Sequence, residues 1–422
     1  MLHYFLFPLY LLVLAWGLPR IAFVKKSGLS ANLVAGLFLL KVLAGLALGW
    51  LSLHYYGAGN DYWDLNREGW KEYQLLWQHP GEYFSNIFHS GYEKGYGGVF
   101  DSFQSFWNDL RNNIIIKLLS LFNIFSRGNY YINSLFCNFL VFFGHVALFR
   151  VFQQIFARRR IAGIIGCFLL PSVLYFNSGT NRDGFVFLLV AALVYLFYFS
   201  IEEKHYGLQR LLAIVLFSGL LFLLRNYVLL ALVPALAAWW LVRRKGWKPL
   251  LVFGAVYLFS GLILFNIDSV YPALQPLTVI VQKQTDYLHL PASATHVPLS
   301  PLQPTFGSFA QNAPEALAHV YLRPYFFEWG QAALIPFALE WLLYLGLFVL
   351  FVFFRDREAG AGKKTFLWFC LFFTAGIFLF IGYITPNLGS IIRYRSAYLP
   401  LLVTPLLCIT DWSKLKRLIK IK

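Results

Sequence analysis

Carboxylates and arginines recur in this chain in the short polar stretches that separate long apolar runs. Asp61, Asp64 and Glu68 stand in "GNDYWDLNREGW", and Arg182 and Asp183 in "NSGTNRDG". Arg225 and Tyr227 interrupt "LLRNYVLL", Arg323 and Glu328 lie in "LRPYFFEW", and Arg393 and Arg395 lie in "NLGSIIRYRS". Arginine forks match phosphate and pyrophosphate oxygens in bidentate pairs. A carboxylate beside them can take the proton from an attacking hydroxyl. Asp61 and Asp64, three residues apart, could also share a divalent cation, although two oxygens alone make a sparse ligand set. Each residue has a structural reading too, because an arginine at a helix end can pair with an aspartate or snorkel to lipid phosphate.

The elements that carry these residues are apolar and long. The 422 residues are 59% hydrophobic and 13% charged, with a mean hydropathy of +0.61. Runs of about 20 apolar residues span a bilayer as helices, and a barrel would instead alternate in short segments. The expected fold is all-α, a single polytopic membrane domain over 1–422. Spans are expected near 3–19, 32–53, 129–155, 161–178, 184–200, 211–224, 228–242, 249–267, 333–354, 365–384 and 396–410, which makes eleven.

Basic connectors set the orientation. Arg20/Lys25/Lys26, Arg158/Arg159/Arg160, Lys204/Arg210, Arg243/Arg244/Lys245/Lys248, Arg355/Arg357/Lys363/Lys364 and the tail "KLKRLIKIK" all fall on one side of that arrangement. The positive-inside rule makes that side cytoplasmic, with the N-terminus outside and the C-terminus inside. Two long segments, 54–128 and 268–332, then lie outside with every acid and arginine named above. Within the first, "NNIIIKLLSLFNIFS" is too interrupted for a span and suits an interfacial or re-entrant position. The first apolar run has no basic residues ahead of it and reads as a retained span, not a signal peptide.

Several function classes are disfavoured. The net charge of +16 is spread through short juxtamembrane connectors, which suits lipid headgroups and not nucleic acid. Cys137, Cys167, Cys370 and Cys408 lie inside apolar runs without paired spacing, so neither a disulfide framework nor a zinc site is expected. The histidines have no metalloprotease spacing, and there is no Gly-rich phosphate loop for a cytoplasmic nucleotide. No internal repeat of the transporter kind is visible.

Taken together, "GNDYWD", "LLPSVLYFNSGTNRDG", "LLRNYVLL", "LRPYFFEW" and "NLGSIIRYRSAYLPLL" resemble polytopic bacterial glycosyltransferases of the GT-C superfamily. The resemblance is to the glycosyltransferase-39-like members of polysaccharide gene clusters, over most of the chain in order and spacing. It implies an enzyme of the bacterial cytoplasmic membrane that takes a sugar from a polyprenyl-phosphate donor on the outer face. The acceptor would be a glycan or a lipid. It also implies a general base early in the first outer loop, which falls on Asp61 with Asp64 as the other candidate. The family's Ser-Gly-x-x-(Lys/Arg)-(Asp/Glu) turn matches Ser178, Gly179, Arg182 and Asp183, and the Gly-Asn-Asp entry departs from the commoner Gly-Gly-Asp. On this reading Arg182 contacts phosphate and Asp183 orients it. Arg225, Tyr227, Arg323, Glu328, Arg393 and Arg395 complete the substrate-binding set. No cofactor is expected beyond the divalent cation considered above.

Two other classes use similar residues. A polysaccharide polymerase would draw on pyrophosphate-linked repeat units and on arginines of later loops. A non-enzymatic carrier of lipid-linked sugars would need charge in mid-span, where Lys41 and Glu340 are the main candidates.

Overall fold

A computed structural model describes residues 2–57, 60–90, 106–204, 206–290, 295–328, 334–356 and 363–420. Among these, no strand forms and extended pairing is limited to two isolated bridges. In chain order the helices are α1 (Leu2–Gly17), α2 (Ala22–Lys25), α3 (Ala31–Tyr56), α4 (Asp61–Gln78), α5 (Pro80–Ser85), α6 (Phe106–Ser126) and α7 (Tyr130–Ile155). They continue as α8 (Arg160–Phe168), α9 (Pro171–Phe176), α10 (Arg182–Glu202), α11 (Leu208–Lys245), α12 (Pro249–Val270), α13 (Pro276–Leu288) and α14 (Phe306–Tyr321). The last are α15 (Ile335–Phe353), α16 (Lys364–Ile384), α17 (Leu388–Ser396), α18 (Leu399–Ile409) and α19 (Trp412–Lys420). Among the described residues, seven helices are long and apolar enough to cross a membrane: α3, α7, α10, α11, α12, α15 and α16. Exposed Leu258, Phe259 and Leu262 on α12, and Leu343, Val352 and Phe353 on α15, suit contact with lipid tails.

Several expected spans are built differently: 3–19 is the 16-residue helix α1, and 396–410 narrows to the 11 residues of α18. The run 161–178 is two short helices, α8 and α9, because Pro171 lacks the N–H needed to continue the ladder. The pair 211–224 and 228–242 is one helical run of 38 residues, α11, with non-helical dihedrals at Arg225 (φ −152°, ψ 84°). At 1.5 Å per residue such a run is about 57 Å long, nearly twice the hydrocarbon thickness. The break therefore falls in "RNY", where the sequence expects a connector. The interrupted stretch 112–126 belongs to α6, a helix of 21 residues.

The chain divides into two compact units. The first comprises Met1–Arg150, Val173–Tyr195 and Ala213–Leu224. Here α4 starts cleanly, because Asn60 Oδ1 accepts from the backbone N–H groups of Tyr62 (3.1 Å) and Trp63 (3.3 Å). Asp61 and Asp64 in its first turn suit the positive end of the helix dipole. The α4 and α6 helices pack closely at Gly69, where a Cβ would lie 2.8 Å from that of Leu119. Buried asparagines tie α4, α6 and α7 together, since Asn133 Nδ2 donates to Asn66 Oδ1 (2.8 Å) and to Asn123 Oδ1 (2.7 Å). In an apolar interior such paired amides specify register, because leaving either unpaired costs about 1–3 kcal/mol.

The second unit comprises Val151–Ser172, Leu196–Leu212 and Arg225–Lys422. Its core gathers Leu277, Leu302, Phe309, Ala316, Tyr383 and Ile384. Helices α14 and α16 touch backbone to backbone, and a Cβ on Gly382 would lie 2.0 Å from the Ala316 carbonyl oxygen. Buried Gln284 on α13 pins the segment before α14, donating to the Ser300 carbonyl (3.1 Å) and accepting from Leu302 N–H (2.8 Å). The same segment pairs with the start of α17, Val297 N–H to Pro386 O at 2.8 Å and Leu388 N–H to Thr295 O at 2.9 Å.

Candidate functional site

In the first unit the polar turn 177–181 is held on every side. Thr180 Oγ1 donates to the Tyr62 carbonyl at 3.0 Å, which joins the turn to the start of α4 one residue beyond Asp61. Gly179 has a positive φ of 77° and donates to Asn138 Oδ1 at 3.3 Å. Lys41, in the middle of α3 and 1% exposed, donates from Nζ to the Asn177 carbonyl (2.9 Å) and to Ser178 Oγ (3.2 Å). An amine just beyond the C-terminal end of α9 thus satisfies a carbonyl left over at the helix end. Asn181 then caps α10, accepting from Asp183 N–H at 3.0 Å while its Nδ2 donates to the Phe176 carbonyl at 2.7 Å.

The predicted residues of this unit therefore share one corner but differ in setting. Asp61 is exposed at the first position of α4. Asp64 forms an ion pair with Arg67 on the surface of the same helix. Arg182 is half-buried and donates to Asn112 Oδ1 of α6 at 2.6 Å, and Asp183 is buried. Behind them lies an aromatic floor in which Trp63 stacks on Tyr130 at 4.3 Å, beside Leu48 and Tyr62. Among the described residues, no three His, Cys, Asp or Glu side chains gather as a metal site would need.

In the second unit, three cations share two tyrosine rings. Arg225 stands over Tyr394 at 4.5 Å and near Tyr227 at 5.9 Å, and its Nη1 donates to the Tyr227 hydroxyl. Lys283 of α13 lies 5.8 Å from the Tyr227 ring, and Arg393 lies 5.8 Å from the Tyr394 ring. Tyr227 is itself stacked on Phe380 at 4.4 Å. The Tyr287 and Tyr394 hydroxyls are 3.3 Å apart. Burial, and next the neighbouring Tyr394, push the Tyr287 phenol well above the ordinary tyrosine range, so it is neutral and can donate. Rings beneath a guanidinium face attract it and fix its plane. A cluster of this kind is suited to hold an anion.

The remaining predicted residues are spent on structure. Arg323 and Glu328 pair with each other, and the second Glu328 oxygen accepts from Tyr325 N–H at 2.8 Å. Arg395 is 2% exposed, and its Nη1 donates to the carbonyls of Val320 and Arg323, each at 2.7 Å. Its guanidinium lies 3.9 Å over Trp341. Burial draws its pKa down to about 10, opposed by Glu340 and then by Tyr344, so it stays charged at neutral pH. Beside it, burial and then Arg323 hold His319 below its ordinary value, against the pull of Glu315.

Sequence reasoning names Lys41 and Glu340 only as mid-span charges and misses Lys283, Tyr287 and Tyr394. The sign that was available for Lys283 and Tyr287 is their four-residue spacing, which places them one turn apart on α13. Trp329, part of "RPYFFEW", lies outside the described residues. Comparisons with family models, with curated proteins and with solved structures find no match to this chain.

Proposed function

We propose that the chain is a membrane glycosyltransferase that moves a sugar from a polyprenyl-phosphate-linked donor to a glycan or lipid acceptor. On this reading it works at the outer face of a bacterial cytoplasmic membrane, with eleven spans and a cytoplasmic C-terminus. The observation that carries the reading is the group of Arg225, Lys283 and Arg393 about the rings of Tyr227 and Tyr394. Sugar transfer leaves negative charge on the departing phosphate, and cations fixed in advance stabilise that charge without reorganising. Asp61, exposed at the first turn of α4, takes the acceptor proton as general base, worth about 10²–10⁴-fold. Asp64 suits the role less, because its ion pair with Arg67 competes for the carboxylate. Within the first unit Asn181 caps the helix that carries Arg182 and Asp183, next to the turn that Thr180 joins to α4.

One observation favours a second reading. The cation cluster is built from late segments of the chain, as a polymerase acting on pyrophosphate-linked repeat units would use them. A carrier is supported less, because Lys41 and Glu340 are already held by the backbone of Asn177 and Ser172.

The test needs no knowledge of the sugar. Purified protein is incubated in proteoliposomes with lipid-linked sugars extracted from cells, and released carriers are weighed by mass spectrometry. Release of polyprenyl phosphate, lost in Asp61→Asn, is the expected result. Release of polyprenyl pyrophosphate instead would favour the polymerase. Wild-type release by both Asp61→Asn and Asp64→Asn would remove the general-base assignment.

A further inference from the structure

Arg393 and Tyr394 face the cation cluster from α17, a helix of only nine residues. So short a helix cannot hold its own rotation about its axis, yet 100° of rotation per residue decides which side chain meets the cluster. Its start is fixed by Asn387, whose Oδ1 accepts from Ser390 N–H at 2.9 Å. Its end is fixed by Arg395. That side chain bridges the carbonyls of Val320 and Arg323 at the end of α14 and rests on Trp341 of α15. Glu340, adjacent to Trp341 and buried, is a carboxylate that favours the charged form of Arg395. Its carboxylate is in turn held by Ser172, whose backbone N–H donates at 3.1 and 3.0 Å and whose hydroxyl donates at 3.1 Å, and by the Tyr344 hydroxyl. A guanidinium buried in an apolar interior is costly to desolvate, so the burial of Arg395 points to a positional role beyond stability.

We propose that Arg395, supported by Glu340, is a positioning residue that sets the rotation of α17 and so presents Arg393 and Tyr394 to the bound phosphate. This rests on the donor-phosphate reading of the cluster. Arg395 itself does not touch the ligand. One nitrogen, Nη1, serves both carbonyls while the flat guanidinium face lies on Trp341, and lysine cannot supply that face. Arg395→Lys keeps the charge and loses the geometry. Glu340→Gln keeps the shape and loses the carboxylate.

The experiment uses the full chain in nanodiscs, with undecaprenyl phosphate as the binding probe and hydrogen–deuterium exchange as an independent readout. Arg395→Lys is expected to weaken binding on the order of tenfold. It is also expected to speed exchange over 388–396 while leaving 61–78 unchanged. Glu340→Gln should move both in the same direction. The loss of affinity should shrink in an Arg393→Ala background, because the two substitutions act through one contact. A folded Arg395→Lys protein with wild-type exchange over 388–396 and wild-type affinity overturns the proposal, as does full additivity with Arg393→Ala. If wild-type protein binds no undecaprenyl phosphate, the donor-phosphate reading fails. Exchange over 388–396 then decides alone whether Arg395 sets the helix.

Discussion

At the scale of single residues, charges in this chain fall into two groups. Lys41, Arg395 and Glu340 are buried and bonded to helix ends, whereas Arg225, Lys283 and Arg393 gather about the rings of Tyr227 and Tyr394. The second group is the one expected to govern donor affinity. Arg225→Ala should raise the donor KM by roughly tenfold or more while changing kcat less, and Arg225→Lys should not restore it, because an ammonium lacks the fork. An unchanged KM in steady-state kinetics would count against a phosphate role for Arg225. His319 gives a prediction about pH. Its folded pKa is lowered, so its contribution to stability is complete above the ordinary value of about 6.5 and is lost as pH falls toward the folded value. The thermal midpoint should drop as pH falls below the ordinary histidine value of about 6.5, and His319→Gln should remove that part of the drop.

At the scale of elements, close backbone approaches do work that side chains cannot. A Cβ at position 382 would overlap the Ala316 carbonyl at 2.0 Å, whereas one at Gly376 on the same helix would meet Tyr257 at an ordinary 3.5 Å. Gly382→Ala should therefore cost about 1–3 kcal/mol by forcing α14 and α16 apart, and Gly376→Ala should be close to neutral. Denaturation in detergent, followed by helical circular dichroism, measures the difference. Much of this scale was legible in the sequence. Apolar period and length locate α3, α7, α10, α12, α15 and α16, and the "RNY" stretch marks a real break, whereas the break at Pro171 falls inside the expected span 161–178. What was not legible depends on contacts distant in sequence. Nothing near Ser172 announces that Glu340, 168 residues later, will hold its N–H. Nor does the spacing of "RYR" reveal that Arg395 turns inward to carbonyls 72 and 75 residues earlier while Arg393 stays with the cluster. Asp61 and Asp64 look equivalent in "NDYWD", and the structure distinguishes them by the exposure of Asp61 and by the ion pair of Asp64 with Arg67.

At the scale of the whole molecule, the described residues are all-helical and include seven apolar helices of spanning length, which makes this a membrane protein by length and composition. All four native cysteines are buried thiols, so single engineered cysteines can report sidedness against a low background. Ser413→Cys on α19 should be protected from an impermeant maleimide in intact cells, and Glu68→Cys on α4 should be labelled. The opposite pattern would reverse the proposed orientation. The central claim is that the chain receives a lipid-linked phosphate at the Arg225 cluster, and a density map of the protein in nanodiscs with undecaprenyl phosphate tests it most directly. The account predicts a phosphate within hydrogen-bond distance of the Arg225 and Arg393 guanidinium groups. A map at saturating lipid with that cluster empty, or with the headgroup bound elsewhere on the chain, would contradict it.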